Sequence, residues 1–293
     1  MITVNQVKIP VTANLHAALL RLKAEKIDLV WVDAICINQQ DDEEKSIQVG
    51  RMASIFKKAE QVVVWLGDAN DLEEDDLKAL AHRTAGESRE TLPISPQRTF
   101  ARLLSRPYWA RVWIIQELAA ASDIIVLCGT HKLSWEVFSD VAITPKAGVS
   151  EIEIEDLSRR LQSLHQFRTD KLSGTAINFL DALYRSRSAL STNPRDKLYA
   201  LLGLAYDSEI FIPEPNYGLS VEQIFIDFAK MLVRKGLPLD FIYLRSSHRR
   251  VPNSLPSWVV DWSELDDVLA KQEFEYMIQC CQQSNILIDW RDI

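Results

Sequence analysis

The stretch Arg106–Ala121, RPYWARVWIIQELAAA, puts one carboxylate where it could do chemistry. On a helix, Ile114, Leu118 and Ala121 share an apolar stripe, and Trp113 and Glu117, four residues apart, share the stripe beside it. A carboxylate set against an indole at the edge of an apolar face is partly desolvated, and desolvation raises a carboxyl pKa. Acids perturbed in this way are candidates for catalysis. The competing expectation is structural: Glu117 pairs with Arg111 or Arg102. A second group of polar side chains, Asp33, Cys36, Asn38 and Gln39, follows the apolar run Ile27–Asp33 (IDLVWVD). In open α/β sheets ligands bind beyond the carboxyl ends of the strands, which is where these four would lie. The same side chains are equally suited to capping the following turn and helix.

Other signatures of chemistry are absent. None of the nine glycines forms G-x-G-x-x-G, and there is no P-loop, H-E-x-x-H or G-x-S-x-G. The five histidines show no i, i+4 pairing, and the four cysteines have no metal-ligand spacing. They read as free thiols of a reducing compartment. The acidic run Asp68–Asp76 lacks the glycine and terminal glutamate of an EF-hand loop and reads as a solvated loop and helix start. Neither a metal nor a bound cofactor is expected.

The elements that must position the acid follow from the hydrophobic pattern. Ile27–Asp33, Val62–Gly67 and Ile124–Gly129 are nearly continuous apolar runs, as strands buried on both faces are. Helical patterns lie between them, over Asn14–Lys26, Glu44–Ala59, Asp71–Ala85, Pro96–Leu104 and Ala110–Ala121. Strands alternating with helices imply a parallel sheet with helices on its faces. Ile2–Val11 reads as a hairpin turning at Asn5-Gln6. The second half is helical, over Glu153–Arg168, Ala176–Ala189, Pro194–Ala205 and Val221–Lys235. Asn193 caps a helix that opens on Pro194, Ser220 with Gln223 makes a capping box, and Gly236 supplies a stop. The boundary falls in Ala142–Ser150.

The chain has 293 residues, 47% hydrophobic and 25% charged, enough to bury one large core or two ordinary ones. A net charge of -8 disfavours a nucleic-acid partner, which needs a basic footprint. Met1–Asn14 is not a signal peptide, and no uncharged apolar run approaches the ~20 residues of a membrane helix. A soluble, cytoplasmic protein with no membrane partner is expected.

VWVDAICINQQDDEEKSIQVGRMASIFKKAEQVVVWLG (Val30–Gly67) and RPYWARVWIIQEL (Arg106–Leu118) closely resemble the signature of the fungal heterokaryon incompatibility (HET) domain. NPRDKLYALLGLA (Asn193–Ala205), PNYGLSVEQIFIDFA (Pro215–Ala229) and LPSWVVDW (Leu255–Trp262) resemble the helical region that usually follows it. The resemblance implies an α/β fold, a TIR/flavodoxin-like parallel sheet with helices on both faces followed by a mainly helical region. The implied divisions are a HET domain over 1–142, its helical region over 150–262 and a helical tail over 263–293. Family members usually begin with a strand like Y-x-A-L-S-Y-x-W-G, whereas this chain starts at Met1 with ITVNQVKIPVTANL. The resemblance therefore implies an N-terminally truncated domain.

TIR domains that cleave NAD use a glutamate in a pattern like W-x-x-x-E-L, which Trp113, Glu117 and Leu118 match. The resemblance thus implies signalling in non-self recognition leading to cell death, with NAD+ as substrate and Glu117 as the catalytic acid. Its alternative is a non-catalytic module that self-associates or binds an unidentified protein. Breaking the nicotinamide–ribose bond builds positive charge on the ribose, which a carboxylate stabilises. Asp33, Asn38 and Gln39 would hydrogen-bond ribose or phosphates, with Cys36 in the same loop. Trp109 and Trp113 would stack on a base, and Arg111 would meet a phosphate or hold Glu117. Such a site requires Glu117 within about 10–12 Å of Asn38 or Gln39 on one cleft.

Overall fold

Asn5 and Gln6 both take positive φ, 50° and 69°, and turn Ile2–Val4 (β1) back onto Val7–Ile9 (β2) as the expected hairpin. Left-handed geometry at both central residues matches the twist of the flanking strands. The chain, described by a computed structural model over residues 1–70, 73–82, 94–143, 151–235, 255, 256 and 258–263, continues through fifteen further elements. They are α1 (Ala13–Ala24), α2 (Asp33–Cys36), α3 (Asp42–Lys58), β3 (Val62–Trp65), α4 (Glu74–Ala81), α5 (Ile94–Leu104), α6 (Ile114–Ala120), β4 (Ile124–Cys128), β5 (His131–Ser134), α7 (Trp135–Ile143), α8 (Glu151–Ser173), α9 (Phe179–Arg185), α10 (Asp196–Tyr199), α11 (Ser208–Phe211) and α12 (Val221–Arg234). Two compact units interleave along the sequence. One comprises Met1–Gln40, Ile55–Trp109 and Ala121–Gln166, the other Asp41–Ser54, Ala110–Ala120 and Phe167–Ile293.

The first unit is built on a three-stranded sheet of order β3-β4-β5. β3 and β4 run parallel, from Val62 opposite Ile124 to Trp65 opposite Leu127, and β5 returns antiparallel with Cys128 opposite His131. β4 is buried along its whole length, which explains its unbroken apolar run. Ile27, Val63 and Trp65 pack against Leu22, Ile125 and Leu127. Trp109, Trp135, Phe138 and Phe100 form an aromatic cluster in the same unit.

The run Ile27–Asp33 does not form the expected strand. Asp28–Trp31 exchange no backbone hydrogen bonds with described residues, and Asp33 already belongs to α2. Leu29 is 92% exposed. An apolar run becomes a strand only when a neighbouring ladder takes its N–H and C=O groups, and none of the described residues provides one here. The described strands therefore give a mixed α/β arrangement with one parallel pair, smaller than the flavodoxin-like sheet expected.

The acidic run is also less exposed than its composition suggests. Glu73 is buried and accepts from Arg106 Nη2 at 3.0 Å, while Arg106 Nη1 donates to the carbonyls of Leu66 and Asp68 just past β3. Asp76 accepts from Thr99 Oγ1 at 2.6 Å, and Glu74 meets His131 Nε2 at 2.6 Å. Burial selects these acids because each has a partner waiting for it.

In the second unit Asp41 caps α3 by accepting from the amides of Glu43 and Glu44. Ser220 caps α12 through the amide of Gln223, but the Gln223 side chain turns to Asp227, so the capping box closes on one side only. The Pro194–Ala205 pattern yields the short α10 and then turns that reach a left-handed Gly203 with φ 75°. Phe179 and Trp262 meet Phe228 edge-on in the core, and the half-buried Phe211 stacks on Phe179. Among the described residues no helix is long and apolar enough to cross a membrane. Residues 144–150 of the expected boundary, Gly236, His248 and the tail beyond 263 with Cys280 and Cys281 lie outside the described residues.

Candidate functional site

The helix carrying Glu117 starts later than its pattern suggests. Pro107–Ala110 closes a 3-10 turn, and the next residues are taken by a neighbouring segment. Val112 N donates to Leu190 O at 2.8 Å, and Leu190 N donates to Ala110 O. Only from Trp113 O, which accepts from the amides of Gln116 and Glu117, does α6 begin. Ile114, Ile115, Gln116, Leu118 and Ala119 are all buried. Glu117 is half-buried, the one acid on an otherwise almost wholly enclosed turn of helix.

The interactions around this helix are polar as well as apolar. Gln116, with no exposed surface, donates from Nε2 to Leu202 O at 2.6 Å. Arg168, also buried, donates from Nη1 to Leu118 O at 3.1 Å. The Trp113 indole Nε1 donates to Asp196 Oδ2 at 3.0 Å, and Tyr217 Oη donates to Asp196 Oδ1 at 2.6 Å. Asp196 is 8% exposed. Burial pushes its carboxyl above the usual range, against the hydrogen bonds from Tyr217 and Trp113 and the charges of Lys45 and Arg195. Lys45 Nζ lies 4.1 Å from the centroid of the Tyr217 ring. The Tyr217 amide donates to Ser46 Oγ, and Tyr199 meets Tyr217 edge-on at 5.2 Å. Burial raises both phenols, and for Tyr217 the adjacent Asp196 charge adds to the shift.

Of the residues expected to act together, Arg111, Trp113 and Glu117 belong to this second unit. Arg111 is exposed, and its backbone bridges to Leu190. Asp33, Cys36, Asn38, Gln39 and Trp109 belong to the first unit. There Gln39 Nε2 donates to Asp33 O, Asn38 Oδ1 accepts from Gln40 N, and Asp33 Oδ1 accepts from Ala34 N. These local bonds are the turn-capping arrangement that the sequence equally allowed. Cys36, Asn38 and Gln39 are exposed. Trp109 is buried, its indole N–H satisfied by Leu103 O and its ring stacked on Phe138 at 4.9 Å, so its surroundings are the unit's own side chains. The expected separation of Glu117 from Asn38 or Gln39 relates residues of different units, and a distance measurement between labels in solution decides it.

Asp196 and Tyr217 were missed by sequence reasoning. The signal was an aspartate two residues before the apolar run that begins at Leu198 in NPRDKLYALLGLA. A charged residue beside such a run has to be paired or hydrogen-bonded if it is buried. Among the described residues no group of three or more His, Cys, Asp or Glu could hold a metal ion.

Residues 1–117 match the family described as Heterokaryon incompatibility protein (HET). The chain is 28% identical over 306 aligned positions to Heterokaryon incompatibility protein 6, OR allele, of Neurospora crassa, an alignment covering 80% of this chain and 45% of that protein. The chain thus spans less than half the length of this curated relative. No solved structure matches. The matched segment contains Val30–Gly67, the Arg106–Leu118 motif up to Glu117 and the residues that lead into α6, so the similarity to the HET family lies in residues 1–117 of the chain.

Proposed function

We propose that the chain serves in fungal heterokaryon incompatibility, in the cytoplasm, as a TIR-like signalling module whose Glu117 cleaves the nicotinamide–ribose bond of NAD+ and so commits the cell to death. The single observation that carries the chemistry is the setting of Glu117: a half-buried acid, four residues after Trp113, on a helix whose other side chains are mostly enclosed. The name of the Neurospora relative supports the biological role.

In this reading the glycosidic bond breaks with its electron pair going to nicotinamide, which leaves neutral. The ribose carries the positive charge, and the Glu117 carboxylate stabilises it or orients the ribose hydroxyls until water adds and releases a proton. The helix holds the acid still, so little reorganisation is needed as charge develops. Trp113 is tied through its indole N–H to Asp196, which orients the ring beside the acid's turn. Glu117→Ala should lower NAD+ turnover by ~10²-fold or more at matched folding and concentration. Equal rates for wild type and variant would remove the enzymatic reading.

A non-catalytic module that self-associates is the second reading. The exposed Leu29 and Val30, on a segment with no backbone partners among the described residues, favour it. Sedimentation of wild type and Leu29→Glu separates the two, since self-association through this segment predicts a shift to monomer in the variant.

A further inference from the structure

We infer that Asp196 is the positioning residue of the Glu117 helix, holding the first turn of α6 through the Trp113 indole. The inference rests on the catalytic reading of Glu117 for its activity readout, but its geometry stands independently. α6 has seven residues, Ile114–Ala120, far fewer than a helix needs to persist on its own. It also lacks a helix-start residue: the position before Ile114 is Trp113, whose side chain cannot accept a bond from the orphan amides.

Its start is fixed instead by one stretch of chain. Between Leu190 and Leu202 that stretch meets the helix three times, at Val112 through the Leu190 carbonyl, at Trp113 through Asp196 and at Gln116 through the Leu202 carbonyl. At two of these anchors the stretch offers only a backbone carbonyl, which any sequence would supply. Asp196 is the one anchor that the stretch makes with a side chain. It is placed by Tyr217 on its other oxygen, and Tyr217 in turn by Ser46 and Lys45. An indole has a single polar hydrogen, so the Trp113 ring can satisfy Asp196 in one orientation only. Glu117 lies one turn further on, where a small rotation of Trp113 becomes a displacement of the carboxylate. Misplacing a reacting group by an ångström costs on the order of 10–100-fold in rate.

The test compares Asp196→Leu, which removes both acceptor oxygens, with Asp196→Asn, which keeps one. Trp113→Phe identifies the indole resonance. The inference expects three results. The Trp113 indole N–H, slow to exchange with solvent in wild type, exchanges fast in Asp196→Leu and stays protected in Asp196→Asn. NAD+ turnover falls about tenfold or more in kcat, with KM changed less, in Asp196→Leu. Asp196→Asn rescues most of that loss, while Asp196→Leu, which leaves the Tyr217 and Trp113 donors without an acceptor and so melts earlier, stays slow at temperatures where circular dichroism shows it fully folded. A purely structural Asp196 would instead leave turnover by the folded fraction unchanged, and that pattern overturns the inference. If wild type and Glu117→Ala turn over NAD+ alike, the catalytic reading fails. The exchange experiment then decides positioning alone, with an unchanged indole in Asp196→Leu overturning it.

Discussion

Burial separates the two cysteine thiols for which the structure gives an environment. Cys128 is enclosed in β4, and burial pushes its thiol up to about 11, with the nearby Arg106 charge pulling the other way. Cys36 is exposed. Thiolate is the reactive form, so iodoacetamide at pH 8 should label Cys36 and leave Cys128 unmodified until the protein unfolds, as read by peptide mapping. Asp196 makes a second prediction of the same kind. Its carboxyl holds a proton more tightly in the folded chain than in the unfolded one, so its ionised form works against the fold. Lowering the pH through the raised folded value removes that penalty, and the gain is complete near ~3.9, the ordinary value of the unfolded chain. Between pH 7 and about 4, wild type should therefore gain stability relative to Asp196→Asn in parallel denaturant titrations. A constant difference would show that burial does not perturb this acid.

Helix ends and tight approaches decide which residue types the elements accept. Gly203 takes a left-handed φ of 75°, and a Cβ added there would meet the Ala53 side chain of α3 at 2.7 Å. Gly203→Val should destabilise by about 2–5 kcal/mol, from backbone strain together with displacement of Ala53. Gly174 also has positive φ, 73°, but nothing lies within 4 Å of its added Cβ, so Gly174→Ala should cost only the strain, about 1–2 kcal/mol. Midpoints of urea unfolding distinguish the two sites. A Gly203 variant no weaker than the Gly174 variant would mean that α3 yields to the added side chain.

Charge acts over the whole molecule. With a net charge of -8 and a pI near 5.3, the protein repels polyanions at neutral pH and approaches neutrality in mild acid. No mobility shift should appear with duplex DNA even at low salt, and solubility should pass through a minimum near its pI. Binding to DNA at low salt would reveal a basic face that the composition conceals.

Much of this molecule was legible from local pattern. The hairpin at Asn5-Gln6, the runs that became β3 and β4, the cap at Ser220 and the i, i+4 pairing of Trp113 with Glu117 all depend on residues close in sequence. Turn chemistry, capping and periodicity act over a few residues, and the chain carries that information in order. What became of Ile27–Asp33 could not be read in this way. Its composition suits a strand, yet a strand exists only where another lies alongside, and that is settled by chain segments far away. The same holds for the acids. Glu73 stands in an acidic run and Glu117 in an apolar one, yet the folded surroundings bury the first against Arg106 and leave the second half-open. The tie between Asp196 and Trp113 spans 83 positions, a separation across which no local rule operates. Burial and long-range partners, which set the environment of every charged group, arise only when distant segments pack.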